Sequence, residues 1–388
     1  MSKRALIIGA GIGGLCAAIA LRKVGYPAVV FERSRKIRAV PAGMTLWSNA
    51  LYALQQMGLR DELIRLGSVI DVVDCKTSLG EHLNNLAVGA MGHRLGTPSL
   101  CIHRGDFHQV LLSMVPTENL RTDMQCVGFS QDAHGVTAVF ENGSRVTGSV
   151  LIACDGIQSL VRSGLLGPSE PRYAGYTCYR GVVSLLHRML PPGLALIAMG
   201  RGREFGLFPC GVGRFYWFAT HNQPPRTPDS LRGRKNDCCL SFADFSEPVV
   251  RVLHATPEPA ILRHDVYDRL SVPKPSFSRI ALLGDAAHPM TPNLGQGGCL
   301  AIEDAVVLAR CLRDQTDDLA ALRDYAELRH RRTAHLAEQS YLTGQVLTLE
   351  NGVLTWFRDR LLLSERGEHR TETSFEGILS YRVPTLDA

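Results

Sequence analysis

The stretch Ala5-Leu-Ile-Ile-Gly9-Ala-Gly11-Ile-Gly13-Gly14, followed by the alanine-rich run Leu15 to Val24, decides the fold. A four-residue apolar run, a glycine cluster and a segment of good helix formers read as strand, tight turn and helix. The spacing Gly9, Gly11, Gly14 is GxGxxG. Its first glycine permits the sharp turn, the second lets a pyrophosphate approach the backbone, and the third lets helix and strand pack closely. The free N–H groups and partial positive charge of the helix N-terminus then favour phosphate. Ala28 to Phe31 forms a second apolar strand ending at Glu32, 21 residues after Gly11. An acid there suits a ribose diol, so the site should hold a dinucleotide. It also disfavours a 2′-phosphate, pointing to FAD or NAD rather than NADP.

The 388 residues allow two domains, or one large one with an insertion. With 45% apolar or aromatic residues and 20% charged, the chain is neither disordered nor collagen-like. A formal charge of +5, spread along the chain, is too thin for a nucleic-acid footprint. The densest basic run, Arg329-His330-Arg331-Arg332, falls in a helical pattern and reads as a solvated face. Eleven cysteines without a CxxC pair fit a reducing compartment and call for no metal. No apolar run reaches a membrane span, and the one after the basic start Met1 to Arg4 is too short for a secretory signal. A cytoplasmic location is expected.

Two later segments extend the pattern. Val150-Leu-Ile-Ala-Cys-Asp155-Gly156 is an apolar strand running into a helix with Ser159 and Arg162. Ile280-Ala-Leu-Leu-Gly284-Asp285-Ala-Ala-His288-Pro289-Met-Thr-Pro292-Asn-Leu-Gly295-Gln296-Gly297-Gly298 opens the helical stretch Cys299 to Leu312. Three motifs in this order, the GxGxxG, the Asp155-Gly156 and the Gly284-Asp285 segment, resemble the class A flavoprotein monooxygenases, the family of para-hydroxybenzoate hydroxylase, salicylate hydroxylase and zeaxanthin epoxidase. The resemblance covers nearly the whole chain.

It implies FAD as cofactor, held around Gly9, Gly11, Gly13 and Gly14, with Glu32 on the adenosine ribose and Arg33 beside it. Arg104 would lie over the pyrophosphate, Asp285 on the ribityl chain or phosphates, and Gly295, Gly297 and Gly298 against the isoalloxazine. Asp155 and Arg162 are less direct in the family, and a pair tying strand end to helix is the competing reading. One departure stands out: Pro41-Ala42-Gly43-Met44 replaces the family's usual Gly-Ala-Gly-Ile loop, and proline fixes φ and lacks an N–H.

The implied architecture is α/β. A discontinuous Rossmann-like, GR2-type FAD-binding domain takes residues 1–72, 99–172 and 272–345. An inserted antiparallel β-sheet substrate domain takes 73–98 and 173–271, and a C-terminal helical segment takes 346–388. The residues themselves support the insertion. Phe205-Gly-Leu-Phe208 and Arg214-Phe-Tyr-Trp-Phe-Ala219 read as antiparallel strands between Gly and Pro clusters, and the nucleotide pattern resumes at Ile280. No second GxGxxG is present, since Gly200-Arg-Gly202-Arg-Glu-Phe-Gly206 misses the spacing. NADH or NADPH is therefore expected as a transient electron donor. Trp356 and Phe357 are expected to dock on the core rather than close the pocket.

The family chemistry inserts one oxygen atom from O2 through a flavin hydroperoxide, with a small aromatic or polyene-like molecule as substrate. The pocket should lie between the sheet strands and the loop His288 to Pro292, with the Pro292 carbonyl near the reacting oxygen. Tyr216 is the first catalytic candidate, because its stretch resembles the Arg-Phe-Tyr strand of flavin-dependent urate hydroxylases. Their arginine twelve residues upstream is Glu204 here, which repels an anion and argues against urate. Glu204 or His221 is a candidate base, and His288 a loop-fixing residue. Alkene epoxidation and a flavin reductase without oxygen insertion remain open alternatives, and no pattern speaks to oligomeric state.

Overall fold

The computed structural model describes residues 3–37, 41–184 and 190–387. Met1 and Ser2 of the basic start, and Ala388, lie outside the described residues.

The quoted strand, Ala5–Ile8, lies inside a six-stranded sheet. The order is Ser276–Phe277, Ile280–Leu282, Val150–Ala153, Ala5–Ile8, Ala28–Phe31 and Leu120–Arg121. All neighbours run parallel except the hairpin joining the first two. The central strands Ala5–Ile8 and Val150–Ala153 are buried along their whole length. Both faces are covered, which is why they read as continuous rather than alternating apolar runs. The helices Ile12–Lys23 and Gly297–Asp314 pack together over this sheet, and Leu15, Ile19, Ile302 and Val306 belong to its main core.

Three further sheets surround it. A meander of Cys126–Gln131, Val136–Phe140 and Arg145–Gly148 packs Val136, Ala138 and Phe140 against the far face of the central strands. Gly43–Leu46 and Ser68–Ile70 flank Ser99–His103 in a small antiparallel sheet. The largest, seven-stranded sheet runs Leu262–Asp268, Arg172–Ser184, Arg214–Asn222, Arg203–Pro209, Leu194–Met199, Val72–Thr77 and His82–Leu86. Its pairings are antiparallel apart from Leu194–Met199 with Val72–Thr77. That parallel pair is possible because the chain passes through the nucleotide-fold half between the two strands, a connection far longer than a hairpin.

The two faces of the seven-stranded sheet have separate roles, set by the period-two alternation of side chains. Phe205, Leu207, Phe215, Trp217 and Ala219 point outward and bury against the helices Arg234–Ser241 and Val249–Ala255. Val73, Ala195, Phe208 and Tyr216 point inward and share one core with the nucleotide-fold helices. The inner face is thereby held against the loops at the ends of the parallel strands. Among the described residues no helix is long and apolar enough to cross a membrane.

Candidate active site

The glycine loop behaves as its spacing requires. Gly9 has φ +106°, and a Cβ there would lie 2.5 Å from the Cys154 carbonyl oxygen. A Cβ on Gly14 would lie 2.0 Å from the Gly9 carbonyl oxygen, so the helix can meet the strand only without a side chain. Gly13 is closed off by Leu283 Cδ2 at 2.8 Å. Gly11 alone has nothing within 4 Å of the Cβ position, which leaves open space beside the helix N-terminus. Glu32 turns back across the loop, its carboxylate accepting from the Ala10 N–H at 2.9 Å and the Ser34 N–H at 2.8 Å. Arg33 is exposed.

The Gly284-Asp285 segment reaches this loop from the end of Ile280–Leu282, with the strand Val150–Ala153 between them and Leu283 against Gly13. Asp285 opens to the surface yet is hemmed in by protein, and desolvation pushes its carboxyl above the usual range while His288 and Arg104 pull it down. Arg104, at the start of the helix Arg104–Met114, is desolvated itself and offset chiefly by Asp285. Its backbone N–H donates to the Ala42 carbonyl at 2.7 Å, so the Pro41-Ala42 segment enters the strand Gly43–Leu46 pinned beside it.

Pro292–Leu294 forms a single tight turn, closed by the Gly295 N–H donating to the Pro292 carbonyl at 2.8 Å. Gly295 has φ +63°, and its Cβ would meet Thr45 Oγ1 and Trp47 Nε1 at 2.7 Å. Gly298 is overlaid by Met44, 2.7 Å from its Cβ position, whereas the nearest atom to that of Gly297 is Met290 Cγ at 3.5 Å.

Beneath these loops lies a buried charge network that the sequence did not disclose. His288 Nε2 and Asp304 Oδ2 are 2.6 Å apart, and the Gly284 N–H donates to the same oxygen at 3.1 Å. Arg329 donates to Asp304 at 2.6 Å and Glu303 at 2.7 Å. Arg332 grips Glu303 at 2.8 and 2.9 Å, and Asn49 donates to Glu303 at 2.6 Å and to Gln296 at 3.0 Å. Opposing His288 and Arg329 charges outweigh desolvation and hold Asp304 at about 2. The reading of Arg329 to Arg332 as a solvated face is therefore corrected for Arg329 and Arg332, while Arg331 is exposed. Arg329 is 1% exposed, because two buried carboxylates one helix away demand a counter-charge.

Asp155 and Arg162 do not pair. The Asp155 carboxylate accepts from the Val161 N–H at 3.2 Å, and desolvation raises its pKa. Arg162 is buried and donates to the carbonyls of Ala286, Ala287 and Leu270 at 2.9 to 3.3 Å. It clamps the Gly284-Asp285 loop from below.

The inner face of the large sheet supplies the opposite wall. Tyr216 is buried so closely on the small sheet that a Cβ at Gly43 would lie 2.4 Å from its ring, and burial raises its phenol. Phe208 is its cross-strand partner, and Phe218, two residues on, stacks with Phe208 at 6.2 Å. Arg180 pairs with Phe218 across the next strand. Tyr176 donates to Asn293 Oδ1 at 2.7 Å, which ties this face to the Pro292 turn. Neither Arg180 nor Tyr176 was singled out from the sequence; only the register with the Tyr216 strand brings them here.

Glu204 shares this face, opposite Thr220. It is 4% exposed, accepts no hydrogen bond among the described residues, and desolvation lifts it to about 7, with Arg358 opposing. The Thr220 hydroxyl is likewise buried without a partner. His221, the other base candidate, lies apart from them. Alternation sends it to the face opposite Tyr216 and Glu204, where Arg203 and burial lower its pKa.

Known proteins place this geometry. A model of the FAD binding domain family matches residues 3–179 and 265–340, leaving out most of the large sheet. The chain is 36% identical over 374 residues to an aurachin C monooxygenase/isomerase of Stigmatella aurantiaca, covering 96% of this chain and 97% of the relative. It is 35% identical to a chloroplastic zeaxanthin epoxidase of Solanum lycopersicum, across 85% of this chain but only 52% of that longer protein. The crystal structure of Klebsiella pneumoniae HpxO with FAD and uric acid superimposes with a TM-score of 0.92 at 29% identity, covering 97% of this chain and 96% of that one. The FAD-dependent urate hydroxylase of that organism is 30% identical over 97% of this chain and 99% of its own length. With a glycine cradle open only at Gly11, an acid at the second strand and a matching family model, the chain belongs to the FAD binding domain family as one of its class A flavin-dependent monooxygenases.

Proposed function

We propose that the chain uses NADH or NADPH and O2 to insert one oxygen atom into a neutral aromatic or phenolic ring carrying an O–H or N–H donor. The single observation behind this is Glu204: a carboxyl 4% exposed, poised near neutrality, with no hydrogen-bond partner among the described residues, on the same sheet face as Arg180 and Tyr216. A buried polar group in that condition is costly unless something donates to it. The position argues against an anion such as urate, whose acid is bound with FAD in the similar HpxO structure.

In this reading the segments 73–98 and 173–271 form the substrate half, 1–72, 99–172 and 272–345 the flavin half, and 346–388 the helical remainder. The open backbone at Gly11 admits the pyrophosphate, with Arg104 supplying positive charge and Glu32 and Asp285 accepting from hydroxyls. Gly297, with nothing nearer its Cβ position than Met290 Cγ at 3.5 Å, leaves room for a ring, whereas the space at Gly295 and Gly298 is taken by Thr45, Trp47 and Met44. FAD bound there would carry two electrons from the nicotinamide donor to O2, one oxygen atom going to the substrate and the other leaving as water.

The protein's own tasks are to orient the substrate ring, exclude water and move one proton. Phe208, Phe218 and Tyr216 wall the pocket, which protects the oxygen-transfer chemistry from water. Arg180 keeps positive charge where a ring oxygen would become anionic. Glu204 accepts the ring's proton, a general-base contribution of roughly 10² to 10⁴ in rate. The Pro292 carbonyl retains a free lone pair beside the Gly295 turn.

The test is donor oxidation by FAD-loaded protein, with O2 and H2O2 counted, against a panel of neutral hydroxy-arenes, N–H heteroarenes and anionic rings. The proposal expects neutral donor rings to stimulate oxidation with little peroxide. Preference for anionic rings, or donor oxidation indifferent to O2, overturns it.

A further inference from the structure

The turn Pro292–Leu294 is gripped from two sides. On one side is the helix Asp318–Leu347. Its Ser340 hydroxyl donates to the Thr291 carbonyl at 2.7 Å and accepts from the Thr291 hydroxyl at 3.1 Å and the Leu294 N–H at 3.4 Å. One helical turn on, at i+4, Gly344 presents bare backbone to Asn293. A Cβ there would lie 2.7 Å from Asn293 Oδ1 and 3.3 Å from its Nδ2, so the amide reaches the helix only because that position has no side chain. Glycine is otherwise unfavourable within a helix.

On the other side is the large sheet. Tyr176, 1% exposed, donates its phenol to Asn293 Oδ1 at 2.7 Å. Burial pushes that phenol up, with the Glu204 carboxylate adding to the effect, so it stays a hydrogen-bond donor. Tyr176 stands two residues before Cys178, which lies opposite Thr220, itself opposite Glu204. Alternation therefore puts it on the face of Arg180, Tyr216 and Glu204. Among the described residues, its hydrogen bond is the one that joins the turn to the sheet. The helix and the sheet are docked by separate contacts: the Arg172 guanidinium lies 3.6 Å over the Tyr341 ring, and Gln345 donates to the Ala174 carbonyl at 3.3 Å.

We infer, on the reading of that sheet face as the pocket wall, that Tyr176 and Asn293 are positioning residues for oxygen transfer. Their hydrogen bond fixes the Pro292 carbonyl against the face that carries Glu204 and Arg180, and neither residue acts on the ring itself. Without the bond, helix and sheet stay docked while the turn is set by the helix alone. A displacement of about 1 Å is enough to slow a positioned reaction about a hundredfold. The donor's two electrons then go to O2 without the ring: NAD(P)H, a proton and O2 give NAD(P)+ and H2O2.

The test compares Tyr176→Phe and Gly344→Ala with the unaltered, full-length, FAD-loaded protein. The first removes the donor, and the second pushes the Asn293 amide away with a Cβ at 2.7 Å. Hydrogen exchange followed by mass spectrometry, with no ring present, should show the peptide carrying Leu294 and Gly295 exchanging about fivefold faster, the weight of one hydrogen bond. The strand Arg172–Ser184 and the melting temperature should not change. With a ring that stimulates donor oxidation, the share of electrons lost as H2O2 should rise and kcat for ring oxidation fall, while KM for the ring holds. Tyr176→Phe combined with Asn293→Ala should leak no more than either alone, because one contact serves both. Exchange or peroxide release that stays unchanged in Tyr176→Phe overturns the inference, as does exchange that rises along the whole strand Arg172–Ser184. Failure of every ring to stimulate the unaltered protein overturns the functional reading instead, and exchange at Leu294 and Gly295 then decides whether the bond positions the turn.

Discussion

Replacing Glu204 by Gln gives the most discriminating measurement. Desolvation raises the carboxyl from 4.5 to about 7 in the folded chain, whereas the unfolded chain keeps the ordinary value. Between those two pH values the folded state binds more protons than the unfolded state, so stability falls as pH rises through the window. Above about pH 7 the loss is complete. At about 1.4 kcal/mol per pH unit of displacement, it amounts to about 3 kcal/mol. Gln mimics the protonated form, so the variant should match the wild type near pH 4.5 and exceed it by about 3 kcal/mol at pH 8. Urea unfolding of the FAD-loaded proteins across this range measures the gap. The activity should move the opposite way. The wild-type kcat/KM rises through about pH 7 as the base becomes available, and the variant loses that limb together with roughly 10² to 10⁴ of the rate. A stability gap that stays constant from pH 5 to 8 would refute the burial argument. An unchanged rate profile would refute the assignment as base.

Three further outcomes follow from the geometry. Gly11→Ala should fold normally, since its Cβ meets nothing within 4 Å, yet weaken FAD binding in a titration by filling the approach to the backbone; Gly14→Ala, with a Cβ 2.0 Å from the Gly9 oxygen, should lose folded holoprotein altogether. Arg329→Met leaves Glu303 and Asp304 without their shared cation and should cost roughly 3 to 5 kcal/mol in urea unfolding, with flavin released early in the transition. Arg180→Leu should abolish the stimulation of donor oxidation by phenolic rings while leaving flavin content unchanged, measured by absorbance and stopped-flow reduction.

The nucleotide half was legible because each of its signals is local. Gly14 is required by a backbone contact inside one strand-turn-helix unit and Gly9 by its own positive φ, although the Cys154 carbonyl that closes on Gly9 comes from a distant strand, and Glu32 follows the next strand in register. The charge network was hidden because its members, Asn49, His288, Glu303, Asp304, Arg329 and Arg332, come from four distant segments, and a basic run on a helix looks solvated until the acids beneath it are placed. The helix Gly352–Leu362 turns Thr355 and Arg358 inward, which was hidden for a related reason. The expectation that Trp356 and Phe357 dock on the core fails because Arg358, on the other side, takes the buried position.

The sequence by itself determined the two-part α/β plan and the dinucleotide cradle, since glycine spacing and strand-end acids act through bonds and turns a few residues long. Which candidate side chains share one sheet face was decided only by the tertiary structure. From the sequence Tyr216 was the first candidate on the strand Arg214–Asn222, and Glu204 and His221 were offered together as candidate bases. Register and alternation then placed Tyr216 and Glu204 on the inner face and His221 on the outer one. Side-chain direction in a sheet depends on which face the rest of the protein covers, and that covering is the property of the whole chain.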